Sequence, residues 1–278
     1  MRSLAVLASF DFSFFFRVLW PPWNSPFLVA GGLVLLITLI AQTAGIVLGF
    51  LLALGRISKN PLLKKPVDLY LYVFRGTPLL LQILIMYEGL AELTGNPPIL
   101  FPITHNAIVA GTLTLALNEA AYMTEIIRAG LQAVDPGQID AARALGMQRH
   151  LVMFRIVVPQ ALRIIVPPTF NEYINMSKNT SLLSTIAVPE LLDTAQSYYT
   201  QNFRTFEALG VAAVYYLIVT SFLTAIQRQI EARFGERQEE RVAARPLPAW
   251  RRMLVGAGQR DETILPPRSP DQSGQSGI

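Results

Sequence analysis

The chain contains no cysteine, which excludes disulfides, thiolate nucleophiles, iron-sulfur clusters and zinc knuckles together. It contains two histidines, His105 and His150, too far apart to make a helical metal pair, so a metal site is not expected. Charge is scarce as well: Asp, Glu, Lys and Arg make up 15% of 278 residues, while 52% are hydrophobic. That balance does not suit a water-soluble globule and points to a membrane protein. A strand barrel would alternate polar and apolar residues; stretches such as Leu33 to Ile37 are apolar throughout, so the expected class is all-α. The net charge of +4 could suggest nucleic acid. However, 9 of the 23 Lys and Arg residues lie from Arg228 onward, behind the last apolar run, which favours a membrane-flanking tail and no nucleic-acid partner.

The apolar runs follow one another with telling flanks. Residues 1–26 hold Phe12, Phe14, Phe15, Phe16, Trp20 and Trp23 around Asp11, Arg17 and Pro21-Pro22, the composition of an interfacial segment. The apolar stretch Leu4 to Ala8 behind Arg2 is short and lacks a clear small-residue cleavage site, so it does not read as a signal peptide. A crossing needs about 20 residues, and five candidates appear at about 27–54, 69–90, 103–127, 164–188 and 208–226. Arg56, Lys59, Lys64 and Lys65 follow the first, the basic stretch 128–163 follows the third, and Arg228, Arg233 and Arg237 follow the fifth. The connections Glu92 to Pro102 and Pro189 to Glu207 hold one basic residue between them, Arg204. The positive-inside rule then predicts five spans with the N-terminus outside and the C-terminus inside. From residue 231 a cytoplasmic tail rich in Arg, Glu, Pro, Gly, Ser and Gln is expected to be disordered.

Within the stretch 128–163, the segment Asp135-Pro136-Gly137-Gln138-Ile139-Asp140-Ala141-Ala142-Arg143-Ala144-Leu145-Gly146 carries both a start and a stop for one short helix. Asp135 suits the N-cap, Pro136 the first helical position and Gln138 the reciprocal half of a capping box. Gly146 suits the left-handed position after the last turn. Small residues keep this helix thin enough for another surface to approach; a helix that merely fills a loop fits the physics equally well.

These residues resemble the EAA loop of permease subunits in bacterial ATP-binding cassette importers. That pattern is Glu-Ala-Ala, three residues, Gly, nine residues, Ile, one residue, Leu-Pro. Here it reads Asp140-Ala141-Ala142, Gly146, Ile156 and Val158-Pro159, with every spacing kept and two mild replacements, Asp140 and Val158. The series Phe74-Arg75-Gly76-Thr77-Pro78-Leu79-Leu80, Glu119 to Gly130, Pro159 to Arg163, Lys178 to Leu182 and Val188 to Leu191 is similar to the polar-amino-acid branch, whose members handle histidine, glutamine or arginine. The resemblance covers about residues 27–230. It implies a type I importer permease in the bacterial inner membrane whose loop helix, with Asp135, Gln138, Asp140, Ala141, Ala142, Gly146, Ile156 and Pro159, couples to an ATPase subunit. It implies ABC ATPase subunits that carry ATP and Mg, a second permease subunit, an external solute-binding protein and a polar amino acid as solute. No cofactor is expected on this chain, which has no Gly-x-x-x-x-Gly-Lys-Ser/Thr to cradle phosphates.

Arg75, Glu88, Glu119, Glu125, Glu172 and Lys178 fall in or near apolar runs, where ionised groups must face protein or water. Glu125 and Arg128 read best as a structural pair three residues apart. Arg75-Gly76-Thr77-Pro78, Glu88 and Lys178-Asn179-Thr180-Ser181 are candidates for a solute path, the last four following a break expected at Pro167-Pro168; an interhelical polar interface is the alternative. An intramembrane enzyme would need a Ser-His pair, paired aspartates or a His-Glu metal site within the spans, and none is present. An ion-coupled carrier would call for an internal repeat, which the chain lacks. The solute could equally be an opine or a compatible solute.

Overall fold

The computed structural model describes residues 11–19, 26–94, 103 and 105–243. No strand occurs among them. Helix α1 (Phe12–Leu19) precedes α2 (Pro26–Ile57), α3 (Pro61–Gly76) and α4 (Leu79–Leu84), which runs through a π-helical turn (Ile85–Gly89) into α5 (Leu90–Thr94). Then come α6 (Ala107–Gln132), α7 (Pro136–Ala144) and α8 (Arg149–Val152), and a second π turn (Met153–Val157) leads into α9 (Val158–Asn179). A 3₁₀ segment (Thr180–Ile186), α10 (Leu191–Asn202) and α11 (Thr205–Ala243) complete the order. The first compact unit ends at Phe234; of the second, from Gly235, only the last turns of α11 are described.

Helix α2 is the axis of the fold, and small residues let α6 lie close against it. Ala41, Gly45, Gly49 and Ala53 recur every four positions and are buried on one face. A Cβ built on Gly49 would stand 2.6 Å from Met123 Cβ and 3.0 Å from the Ala120 carbonyl oxygen, so nothing larger fits without separating the helices. In a bilayer, where apolar side chains gain little by leaving lipid, close approach of this kind is what holds helices together. One apolar core joins Phe27, Val34, Leu191, Val211 and Tyr215 to α1 through Phe15, Val18 and Leu19. Another joins Ile37, Ile83, Leu115, Met176 and Leu183. The outward faces stay apolar, with Leu39, Val47 and Leu51 on α2 and Leu217, Ile218 and Phe222 on α11 all more than half exposed, as lipid or a partner subunit requires.

Three helices are long and apolar enough to cross a bilayer: Pro26–Ile57, the continuous Arg149–Ile186 and Thr205–Arg233. The second expected span is not one straight helix. Helices α3 and α4 with its π turn meet at 108°, and count as one crossing only as a bent pair. Pro78 is the cause, since it holds its own φ at −62° and lacks an N–H, while Thr77 before it is extended. Helix α6, the third expected span, is long enough at 26 residues, but Asn118, Glu119 and Glu125 make it too polar to qualify on composition.

Two further expectations are corrected. The chain does not break at Pro167-Pro168: α9 runs straight through both, and the change of helix type comes at Thr180. The last helix also extends to Ala243, past the start of the expected tail, because residues 231–243 are mostly Glu, Arg, Gln and Ala, strong helix formers. Residues 244–278, and Trp20 to Trp23 of the N-terminal segment, lie outside the described residues.

Candidate functional site

The short helix between α6 and α8 is built from local signals. Asp135 accepts a hydrogen bond from the Gly137 N–H at 2.8 Å, and Pro136 opens the helix. At the other end Gly146 N–H donates to the Arg143 carbonyl and Met147 N–H to the Ala142 carbonyl, at 2.9 and 3.1 Å, with Gly146 at φ +77°. Those two bonds together form a Schellman cap. Gln138 does not close a capping box: its side-chain oxygen accepts from Gln160 Nε2 at 2.7 Å, which ties α7 to the start of α9. Ala142 is buried among Val134, Val152, Val157 and Ala161, with Ile156 packed beside them. Ala141, Ala144 and Leu145 are exposed, Leu145 at 84%, and Asp140 and Pro159 also face outward. Asp140 meets Arg143 at 3.4 Å. The result is a helix capped at both ends that leaves small and apolar groups exposed.

The bend at Thr77-Pro78 frees backbone carbonyls, and side chains satisfy them. Gln82 Nε2 lies 2.9 Å from the Phe74 carbonyl oxygen, 3.2 Å from that of Thr77 and 2.8 Å from Thr77 Oγ1. Asn118 on α6 donates to the Phe74 carbonyl at 3.2 Å and to Gln82 Oε1 at 2.9 Å. Broken helix within a membrane-spanning bundle is tolerable only when such partners are supplied.

Beside the bend opens a cavity of about 590 Å³, lined by Thr77, by Asn118, Glu119 and Tyr122 of α6, and by Glu172, Asn175, Lys178 and Asn179 of α9. Glu119 also accepts from the buried Gln42 at 2.8 Å. The two segments expected to form a path therefore meet here, through Thr77 on one side and Lys178 and Asn179 on the other. Thr180 is buried, donating to the Ser177 carbonyl, and Ser181 donates to that of Lys178. Arg75 and Gly76 belong to a different cavity, with Arg56, Lys64 and Arg128. Glu88 sits exposed on the π turn and does not join the cavity lining, and Pro78 serves the bend.

Glu125 is more than one half of a local pair. It accepts from Arg128 Nη2 at 2.8 Å, is hydrogen-bonded by Arg56 and lies 3.6 Å from Arg75 Nη1, so one carboxylate gathers guanidiniums from α2, α3 and α6. At the opposite end of the bundle Glu190 caps α10, accepting from the Asp193 N–H at 2.8 Å and from the Tyr216 hydroxyl. Burial pushes its carboxyl pKa above the ordinary value, against the opposing pull of those bonds.

Residues 45–236 match the family described as the binding-protein-dependent transport system inner membrane component. The chain belongs to that family. Among its relatives is the arginine transport system permease ArgU of Corynebacterium glutamicum, 38% identical over 84% of this chain and 76% of that protein. The octopine permease OccM of Rhizobium radiobacter is 39% identical over 77% and 89% of the two chains. The histidine/lysine/arginine/ornithine permease HisM of Escherichia coli K12 is 36% identical over 77% and 92%. In three dimensions the permease is similar to a chain of an amino acid ABC transporter crystallised with histidines, at TM-score 0.69 and 36% identity over 76% of this chain and 95% of that one. A chain of the MetNI methionine transporter, 18% identical at TM-score 0.61, shares the fold.

This inner-membrane permease thus has two places that match the residues singled out in its sequence, a capped loop helix and the cavity beside the bend. The start and stop of the first are legible in the sequence, while the partner of Gln138 is not. In the sequence Glu119 and Glu172 read equally as members of interhelical pairs or of a solute pathway, and Asn118, Tyr122, Asn175 and Gln82 do not stand out. A polar residue inside an otherwise apolar run, as Gln82 and Asn118 are, was the available signal.

Proposed function

We propose that this permease is the membrane-spanning subunit of an ABC importer that carries an amino acid with a cationic side chain into the cytoplasm. It crosses five times with its N-terminus outside, α6 and the bent α3–α4 pair supplying the two crossings that composition alone leaves open. Helix α7, with Asp135, Gln138, Asp140, Ala141, Ala142, Gly146, Ile156 and Pro159, is the coupling element. It seats in a groove of a separate ATPase subunit, which holds ATP and Mg. A second permease subunit, identical or homologous, completes the path, and an external binding protein delivers the solute. Closure of the ATPase pair moves α7 as a rigid body and rocks the spans between outward-open and inward-open arrangements. The solute undergoes no covalent change.

The cavity supports the solute class by its charge. Lys178 can meet the solute carboxylate and one glutamate its α-ammonium group, leaving the second of Glu119 and Glu172 for a cationic side chain. The arginine and histidine/lysine/arginine/ornithine permeases among its relatives agree with that reading, and the octopine permeases keep an opine within the same chemistry.

The observation that carries the proposal is the exposed, doubly capped helix α7 with Leu145 at its tip. Co-purification of the full-length chain with the products of its neighbouring genes tests it. Leu145→Asp is expected to lose the ATPase subunit while the permease stays monodisperse. Equal recovery of the ATPase by Leu145→Asp and the native chain would contradict the docking role.

A further inference from the structure

The second cavity has no part in the transport cycle proposed above, yet it is the most strongly charged place among the described residues. Its volume is about 710 Å³, and Arg56, Lys64, Arg75 and Arg128 line it against a single acid on the wall, Asp68. Even with Glu125 counted from behind, a formal excess of two positive charges remains. We infer that this cavity binds the phosphate group of an anionic lipid.

Preorganisation is the first argument. Glu125, Arg56 and Arg128 are each less than a third exposed; the carboxylate is hydrogen-bonded by two of these guanidiniums and lies 3.6 Å from that of Arg75, which brings three helices to one place. Three guanidiniums offer five N–H donors each, far more than two carboxylate oxygens can use. A guanidinium fork matches a phosphate as well as a carboxylate. Lys64 adds a further cation and makes no salt bridge among the described residues. The site is therefore assembled before its anion arrives.

The surroundings favour a lipid as the source of that phosphate. Tyr72 is on the cavity wall and 80% exposed, and Leu62 and Leu69 on the same helix are 80% and 64% exposed. An acyl chain can cover that apolar strip while its headgroup sits among the cations; a soluble phosphate would leave the strip bare. Basic clusters at the ends of spans attract anionic lipid in the cytoplasmic leaflet. Only the choice of leaflet rests on the orientation proposed above.

Native mass spectrometry of the full-length chain, purified in neutral detergent with whatever subunits accompany it, tests the inference. Separate arms titrate phosphatidylglycerol, phosphatidylcholine and inorganic phosphate. Phosphatidylglycerol is expected to bind well ahead of phosphatidylcholine, and Lys64→Gln to weaken it by about fivefold, the worth of one cation near an anionic surface. Lys65→Gln makes the same charge change on the same helix outside the cavity wall and should leave binding unaltered. Equal retention of the two lipids, or equal loss in both variants, would overturn the site. Displacement of phosphatidylglycerol by millimolar inorganic phosphate would overturn the lipid assignment in favour of a soluble phosphate. Bound lipid is read directly, so a failure here is distinct from a failure of the transport reading.

Discussion

Gly146 has open space around the place where a Cβ would sit, so a substitution there acts through the backbone and not through a clash. At φ +77° a β-branched residue is strained, and Gly146→Val should loosen the end of α7 by about 1–2 kcal/mol, with Gly146→Asn milder. Hydrogen exchange at Gly146 and Met147 checks this, since their N–H groups make the capping bonds. Glu172 tests the cavity's charge: Glu172→Gln should cut the preference for arginine over glutamine in competition uptake by about tenfold, the equivalent of ~1.4 kcal/mol. An unchanged preference would remove Glu172 from the solute site. Asp11 shows how a carboxylate can fasten an exposed helix. Hydrogen bonds from the Ser13 hydroxyl, the Phe14 N–H and Arg204 hold its pKa far below the usual carboxylate range. Because the folded value is the lower one, the stabilisation is complete above the ordinary carboxylate range and is lost progressively as pH falls from that range through the lowered value. Helix α1 should therefore stay attached at pH 5, whereas Asp11→Asn should raise its exchange rate at neutral pH.

At the scale of elements, the caps, the bend and the close helix pair differ in how far they could be read beforehand. Helix α7 was legible from end to end because each of its signals acts within a few residues: Asp135 and Pro136 start it, and Gly146 stops it. Gln138 was misassigned because its partner, Gln160, is remote in sequence. The bend at Thr77-Pro78 stood in plain sight as an X-Pro pair, yet an apolar run carries no direction, so residues 69–90 read as straight. The converse held at Pro167-Pro168, where the surrounding bundle keeps α9 helical and Thr169 Oγ1 donates back to the Ile165 carbonyl at 2.8 Å. Two substitutions test the packing. Gln82→Leu strips donors from the Phe74 and Thr77 carbonyls and should cost about 1–3 kcal/mol. Gly49→Val forces α2 from α6 and should cost about 1–3 kcal/mol by overpacking. Thermal unfolding in detergent measures both; a native midpoint for Gly49→Val would mean that the two helices are not held by close approach.

For the whole molecule, hydropathy and composition are enough for the all-α membrane class, whereas the cavity is not legible because residues distant in sequence build it. Glu125 shows the limit: a pair three residues apart was visible, but Arg56 and Arg75 reach it only through the packing of α2 and α3 on α6. Family membership and the fold agree with a permease; under the function proposed, solute movement depends on ATP hydrolysed by partner subunits and transmitted through α7. Uptake of labelled arginine into proteoliposomes holding this permease, its ATPase subunits and the external binding protein measures that directly. Accumulation that requires ATP inside the vesicles, and that falls to background with Leu145→Asp while arginine stays bound to the binding protein, is the predicted result. Arginine accumulation that proceeds without ATP, or that Leu145→Asp leaves intact, would contradict the account.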